Sequence, residues 1–180
     1  MHNGNVGGWK YVKRALALSV EPEWFNGVQG STDSEWAFAL FLDSMRKNGD
    51  DPDDEVGQKD GFGHVALRKA ILKTVKRINQ MIAEIPQEYR EREQLDTRSL
   101  LNFAVTDGHS VVCTRYVSSA TDEAASLYFS SGTSWRQEGV KGNYKMERRD
   151  KGADIVLVAS EPLTFERGIL PYHPLLCFPS

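Results

Sequence analysis

Between Phe62 and Ile85 apolar residues return at helical spacing, and beyond Pro86 that spacing is lost. Val65, Ala66, Ile71, Val75, Ile78, Met81, Ile82 and Ile85 mark one face, while Arg68, Lys69, Lys73, Lys76 and Arg77 mark the other. This is the pattern of an amphipathic helix that buries one side. Pro86 ends it, because proline has no N–H to continue the ladder. After a polar connector at 87–97 the pattern turns strand-like: residues 100–106, the pair Asp107-Gly108, then residues 110–116. Asp-Gly supplies the positive-φ positions that tight hairpins favour, so a β-hairpin is predicted. Residues 126–130 and 155–159 are further strand candidates, the second a continuous apolar run suited to a central strand. A chain with helices first and strands after must fold as α+β.

The first half offers two more helices. Trp9, Val12, Ala15 and Leu16, with Lys10, Lys13 and Arg14 between them, predict a short amphipathic helix over 9–20, stopped by Pro22. Residues 21–30 read as loop, anchored by Trp24 and Phe25. A helix apolar almost all round then starts at Ser31 or Thr32 and runs to about Met45, so it is buried on more than one side. Residues 48–61, rich in Asp and Gly, read as an exposed mobile loop. The acids of Asp51-Pro52-Asp53-Asp54-Glu55-Val56 lack the sixth-position glycine of a calcium loop, so no metal is assigned.

Net charge and cysteine content narrow the function. With 22 basic against 25 acidic side chains and a net charge of −3, the chain has no surplus of positive charge for phosphates. Its densest basic stretch, Lys145, Arg148, Arg149 and Lys151, is broken by Glu147 and Asp150. Nucleic acid is therefore not the expected partner. No apolar run approaches the ~20 residues that span a bilayer, and the start has no signal-peptide pattern. Two cysteines, Cys113 and Cys177, exclude a disulfide framework and a cysteine-rich zinc site. The expected compartment is the cytoplasm, and no cofactor is expected.

Two short segments carry chemistry. His2-Asn3-Gly4 offers a side-chain amide and an unobstructed backbone N–H, read here as one tight turn; such paired donors are the equipment of an oxyanion hole. Gly30-Ser31-Thr32-Asp33-Ser34-Glu35 reads as a capping box, in which Thr32 accepts from the N–H of Glu35 while Glu35 reaches back. Asp33 is not needed for that box, which leaves its carboxylate for a ligand's ammonium or for the helix dipole. Asn-Gly alone is usually a structural turn. His2 reads as structural, part of the strand entering that turn. Cys113, mid-strand, reads as a buried apolar residue. His64, His109, His173 and Cys177 receive no role.

The two segments, together with Ala104-Val105-Thr106-Asp107-Gly108 and Ser160-Glu161-Pro162-Leu163-Thr164, resemble the class II glutamine amidotransferases of the N-terminal-nucleophile hydrolase superfamily. The resemblance is strongest to the branch acting in fungal glutathione degradation. It implies a four-layer αββα sandwich, with Asn3 and Gly4 as the oxyanion hole and Asp33, beside Thr32, binding the glutamyl amino group. It runs over 1–167, a partial amidotransferase-like domain, and leaves 168–180 as a divergent tail. In that family the nucleophile is an N-terminal cysteine whose own amine is the base. Neither it nor the arginine that clamps the substrate carboxylate has a counterpart here. Met1 stands where the family reads straight through, so the chain is expected to be N-terminally truncated, its sheet incomplete and its strand edges exposed.

Three functions follow from this resemblance. The first is a γ-glutamyl amide hydrolase portion, acting on glutamine or glutathione and inactive alone for want of the thiol. The second is a non-catalytic binding module for the peptidase-like subunit with which the glutathione-degrading branch works. The third is a fragment that does not fold by itself.

Overall fold

The computed structural model describes residues 1–138, 143–147, 152, 154–161 and 175–178. In chain order its elements are β1 (His2–Asn5), α1 (Trp9–Ser19), α2 (Pro22–Gly27), α3 (Asp33–Arg46), α4 (Glu55–Asp60), α5 (Gly63–Ala83), α6 (Gln87–Arg92), β2 (Leu100–Thr106), β3 (Val111–Thr114), β4 (Tyr128–Gly132), β5 (Ser134–Glu138), β6 (Asn143–Glu147), β7 (Ile155–Ala159) and β8 (Leu175–Phe178). Mixed helix and sheet give the α+β class read from the sequence. The chain divides into two units, 1–124 with 175–180, and 125–174.

In the first unit the three long helices α1, α3 and α5 pack on one another and on one face of a sheet ordered β1-β2-β3-β8. All pairings in that sheet are antiparallel. The core joins Val12 and Leu16 of α1, Leu40 and Phe41 of α3, and Leu67, Ile71 and Ile78 of α5 to Leu101, Phe103 and Val112 of the sheet. The opposite sheet face carries Asn102 and Cys113, which are buried as well. In the second unit β4 pairs with β7, and β5 with β6.

Several expectations change. The 21–30 loop contains α2, which proline at its first turn favours. The acidic stretch 48–61 contains α4, because the Asp54 side chain caps it through the N–H of Gly57. Its acids Asp51 and Asp53 meet the Arg46 guanidinium at 2.8 and 2.7 Å, together with Glu23. The connector 87–97 contains α6. Residues 155–159 form β7, paired with β4 in a two-stranded sheet among the described residues. Within the expected tail, residues 175–178 pair with β3 as β8. His173, residues 162–164 of the family motif, and Arg148, Arg149 and Lys151 lie outside the described residues.

Amphipathic patterning misplaced two residues of α5. Val65 is 67% exposed, whereas Arg77, read on the solvated face, is drawn inward. Its guanidinium donates to the carboxylate of Asp43, to Ser44 Oγ at 3.0 Å and to the Ser19 carbonyl at 3.0 Å. Asp43 is fully buried and also accepts from Lys47 Nζ at 2.8 Å and the Glu21 N–H at 3.2 Å. Burial pushes its carboxyl up, but the hydrogen bonds from Lys47, Arg77 and Glu21 outweigh this and hold it below the usual carboxylate value. Asp107 behaves alike. It is partly desolvated, yet it accepts from the N–H groups of Ser110, Gly63 and His109, which ties the hairpin to the start of α5 and lowers its pKa.

Removing one partner of a buried pair leaves a charge uncompensated. Arg77→Met is expected to cost about 3 kcal/mol, the lower end of the range because Lys47 remains, read from the midpoint of urea unfolding. Both carboxyls are depressed in the folded state. Their contribution is therefore fully present above about pH 4, the unfolded value, and is lost as pH falls through the lower folded value. Stability measured from pH 7 downward should stay level to about pH 5 and then drop; Asp107→Asn should make that acid limb shallower.

Candidate functional site

The Asn3-Gly4 pair does not form the expected turn. It lies in β1, an edge strand among the described residues, with Asn3 opposite Asn102 and Gly4 opposite Leu101. The register decides which groups are free. Met1 and Ala104 exchange both backbone bonds, N to O at 2.8 Å and 2.9 Å. Hydrogen-bonded pairs alternate along an antiparallel ladder, so Asn3 turns its backbone groups to β2, while His2 and Gly4 turn theirs outward. In agreement, Leu101 and Phe103 give their N–H groups to Tyr116 O and Thr114 Oγ1, on the side away from β1. The Gly4 N–H thus points from the open edge of the sheet. Gly4 has φ 141°, and a Cβ there would stand 1.9 Å from the Leu100 carbonyl oxygen, so only glycine fits.

Asp33 begins α3 on the same side. Its Oδ2 accepts from the N–H of Val6 at 2.8 Å, and its Oδ1 lies 3.3 Å from Ser34 Oγ. Val6 follows Gly4 by two residues, a separation of about 7 Å along an extended chain. The carboxylate of Asp33 is thus bonded to the chain two residues beyond Gly4.

Thr32 is the N-cap of α3, accepting from the Glu35 N–H at 3.4 Å as the capping box requires. The other half of the box differs. Glu35 accepts from the N–H groups of Gln29 and Gly30, both at 2.8 Å, and so closes the preceding loop instead of reaching back to the cap. Gly30 allows this approach, since a Cβ there would lie 2.3 Å from Glu35 Oε2. Asp33, read as spare, is half engaged through Val6.

Two residues with no assigned chemistry join the site. His2 Nδ1 lies 3.0 Å from Ser34 Oγ and its Nε2 lies 3.2 Å from the Leu100 carbonyl, while its ring packs on Phe103 at 4.5 Å between centroids. His2 and Ser34 line a cavity of about 330 Å³ with Thr32, Phe38, Phe41 and Phe103. Asn3 and Gly4 are exposed and Asp33 half-buried, and of the four predicted residues Thr32 alone lines this cavity. Cys113 is buried in β3, 2% exposed, as its mid-strand position suggested. His109 is at the hairpin turn, bonded to the Lys59 carbonyl at 3.0 Å. The described residues contain no cluster of three or more His, Cys, Asp or Glu able to hold a metal ion. None of their helices is long and apolar enough to cross a membrane.

This fold is that of the class II glutamine amidotransferase domain. All of the chain aligns with 62% of a glutamine aminotransferase class-II domain protein from Silicibacter pomeroyi, at a TM-score of 0.53 and 24% sequence identity, a likeness of fold. In sequence, 168 residues, 93% of the chain, are 51% identical to the probable glutamine amidotransferase DUG3 of Saccharomyces cerevisiae. Over those residues the chain is similar to a glutamine amidotransferase. It spans 45% of the length of that yeast relative. No family model matches it.

Gly4→Ala is expected to push β1 from β2 and cost about 2–3 kcal/mol, seen as a lower thermal midpoint; Asn3→Ala, at an exposed side chain, should move the midpoint little.

Proposed function

We propose that the chain is the oxyanion-hole and amino-group-binding portion of a γ-glutamyl amide hydrolase acting in glutathione catabolism. The observation that carries this is the Val6 N–H to Asp33 bond, which sets a carboxylate two residues along the strand from an outward-facing glycine N–H. In the reaction a thiolate attacks the γ-glutamyl carbonyl carbon and its π electrons move onto oxygen. Asn3 Nδ2 and the Gly4 N–H donate to that oxyanion, each worth on the order of 3 kcal/mol of barrier. The amine leaves with the proton that the thiol gave up, and water then hydrolyses the thioester to release glutamate and restore the thiol. Asp33 accepts from the substrate α-ammonium, with Thr32 holding the start of α3 that presents it.

The attacking thiol in this reading is not one that residues 1–180 offer. Cys113 is shut in the sheet, away from the β1 edge, and Cys177 takes no part in this reading, under which the chain alone is inactive. The full domain is a four-layer αββα sandwich, a reading supported by burial on both faces of β2 and β3. Its substrate is glutamine or glutathione, its compartment the cytosol, and a peptidase-like subunit is its partner. The outward N–H groups of β1 and the exposed Phe38 also suit a purely binding role toward that subunit, the second reading.

Residues 1–180 should release no ammonia from L-glutamine and no glutamate from glutathione. Turnover abolished by Cys113→Ala would overturn the assignment. Calorimetry should detect L-glutamine binding that Asp33→Asn weakens at least tenfold; equal binding by both proteins would remove Asp33 from the site.

A further inference from the structure

The contacts of His2 contain a choice of donors that the amidotransferase reading leaves unused. A carbonyl oxygen only accepts, so the contact at 3.2 Å between His2 Nε2 and Leu100 O puts a proton on Nε2 in either charge state. Neutral His2 then has a bare Nδ1, which must accept from Ser34 Oγ at 3.0 Å. Ser34 has one hydroxyl proton. Given to His2, it is withheld from Asp33 Oδ1, 3.3 Å away on the other side. In this state Asp33 Oδ1 and a lone pair of Ser34 Oγ are both left as acceptors, the pairing that a primary ammonium wants.

Protonation of His2 reverses the chain. Nδ1 becomes a donor to Ser34 Oγ, the Ser34 proton turns to Asp33 Oδ1, and an imidazolium charge stands behind it. One acceptor is filled, and the incoming ammonium meets a cation. We propose that His2 and Ser34 form a proton-dependent relay that sets how many acceptors Asp33 offers, so that affinity for the α-amine of a γ-glutamyl ligand falls as His2 becomes charged. This rests on the reading of Asp33 as the amino-group ligand. Both are positioning residues.

The other groups that line the cavity beside His2 and Ser34 do not provide the switch. From α3, Glu35 is held by the N–H groups of Gln29 and Gly30, and just before β1 the Met1 ammonium is held by the Ala104 carbonyl. Phe103 and Val105 of β2 and Ile71 of α5, which line the same cavity, carry no charge. Asp33 and His2 are the opposed titratable pair, joined through Ser34.

The test uses the chain with L-glutamine, and with glutaramate, which lacks the α-amine, as the control ligand. Nitrogen-15 spectra of the imidazole should show neutral His2 protonated at Nε2 and accepting at Nδ1; the Nδ1–H tautomer would overturn the relay without any ligand. The dissociation constant for L-glutamine should rise about tenfold as pH falls through the titration of His2 seen in those spectra, while that for glutaramate stays level. Ser34→Ala, which suits a helical first turn, should fold normally and make the L-glutamine profile flat. If Asp33→Asn destroys binding but Ser34→Ala keeps the wild-type pH profile, the relay fails and the Asp33 reading stands. If Asp33→Asn binds L-glutamine as the wild type does, or the wild type binds none at any pH, both fall together.

Discussion

The antiparallel register between β1 and β2 is the constraint on which the site depends. It is set by the exchanged bonds of Met1 and Ala104, and it fixes that even-numbered residues of β1 turn their N–H groups off the sheet. A slip of one residue would present Asn3 and Asn5 instead, and the glycine N–H would be spent on β2. The same alternation continues past the strand and delivers the Val6 N–H to Asp33. One ladder therefore aligns both an electrophilic donor and a carboxylate, with no side chain needed to hold the first.

The helices supply the rigidity that an edge strand lacks. The start of α3 is bound to β1 through His2 and Ser34, to the residue after β1 through Val6 and Asp33, and to the loop before it through Glu35. Its body packs on α1 and α5, and the buried Asp43–Arg77 pair crosses from α3 to α5. At the far end of the hairpin Asp107 ties the sheet to the N-terminus of α5. Polar bonds thus join the ends of α3 to β1, to α5 and to the preceding loop, around a core of apolar packing. That division is what keeps a solvent-facing site in one geometry.

Much of this was legible because it is periodic or local. The stripe over 62–85 and the alternation around Asp107-Gly108 gave α5, β2 and β3, since hydrophobic period depends on the chain alone. Thr32 as N-cap needed only a hydroxyl three residues before an N–H. Short helices such as α2, α4 and α6 were not legible, because six residues hold too few turns for a period to register. Arg77 looked like a surface cation because its burial is caused by Asp43, 34 residues away.

The sequence by itself determined the α+β class, the likeness to glutamine amidotransferases, and the local start of α3 at Thr32. Only the tertiary structure decided that Asn3-Gly4 is a strand edge and not a turn, that Glu35 closes the 29–30 loop, and that His2 reaches Ser34. The physical reason is range. Capping and periodicity act within a few residues, but the direction of a strand's N–H groups and the partner of an imidazole are set by β2 and α3, about a hundred and about thirty residues away.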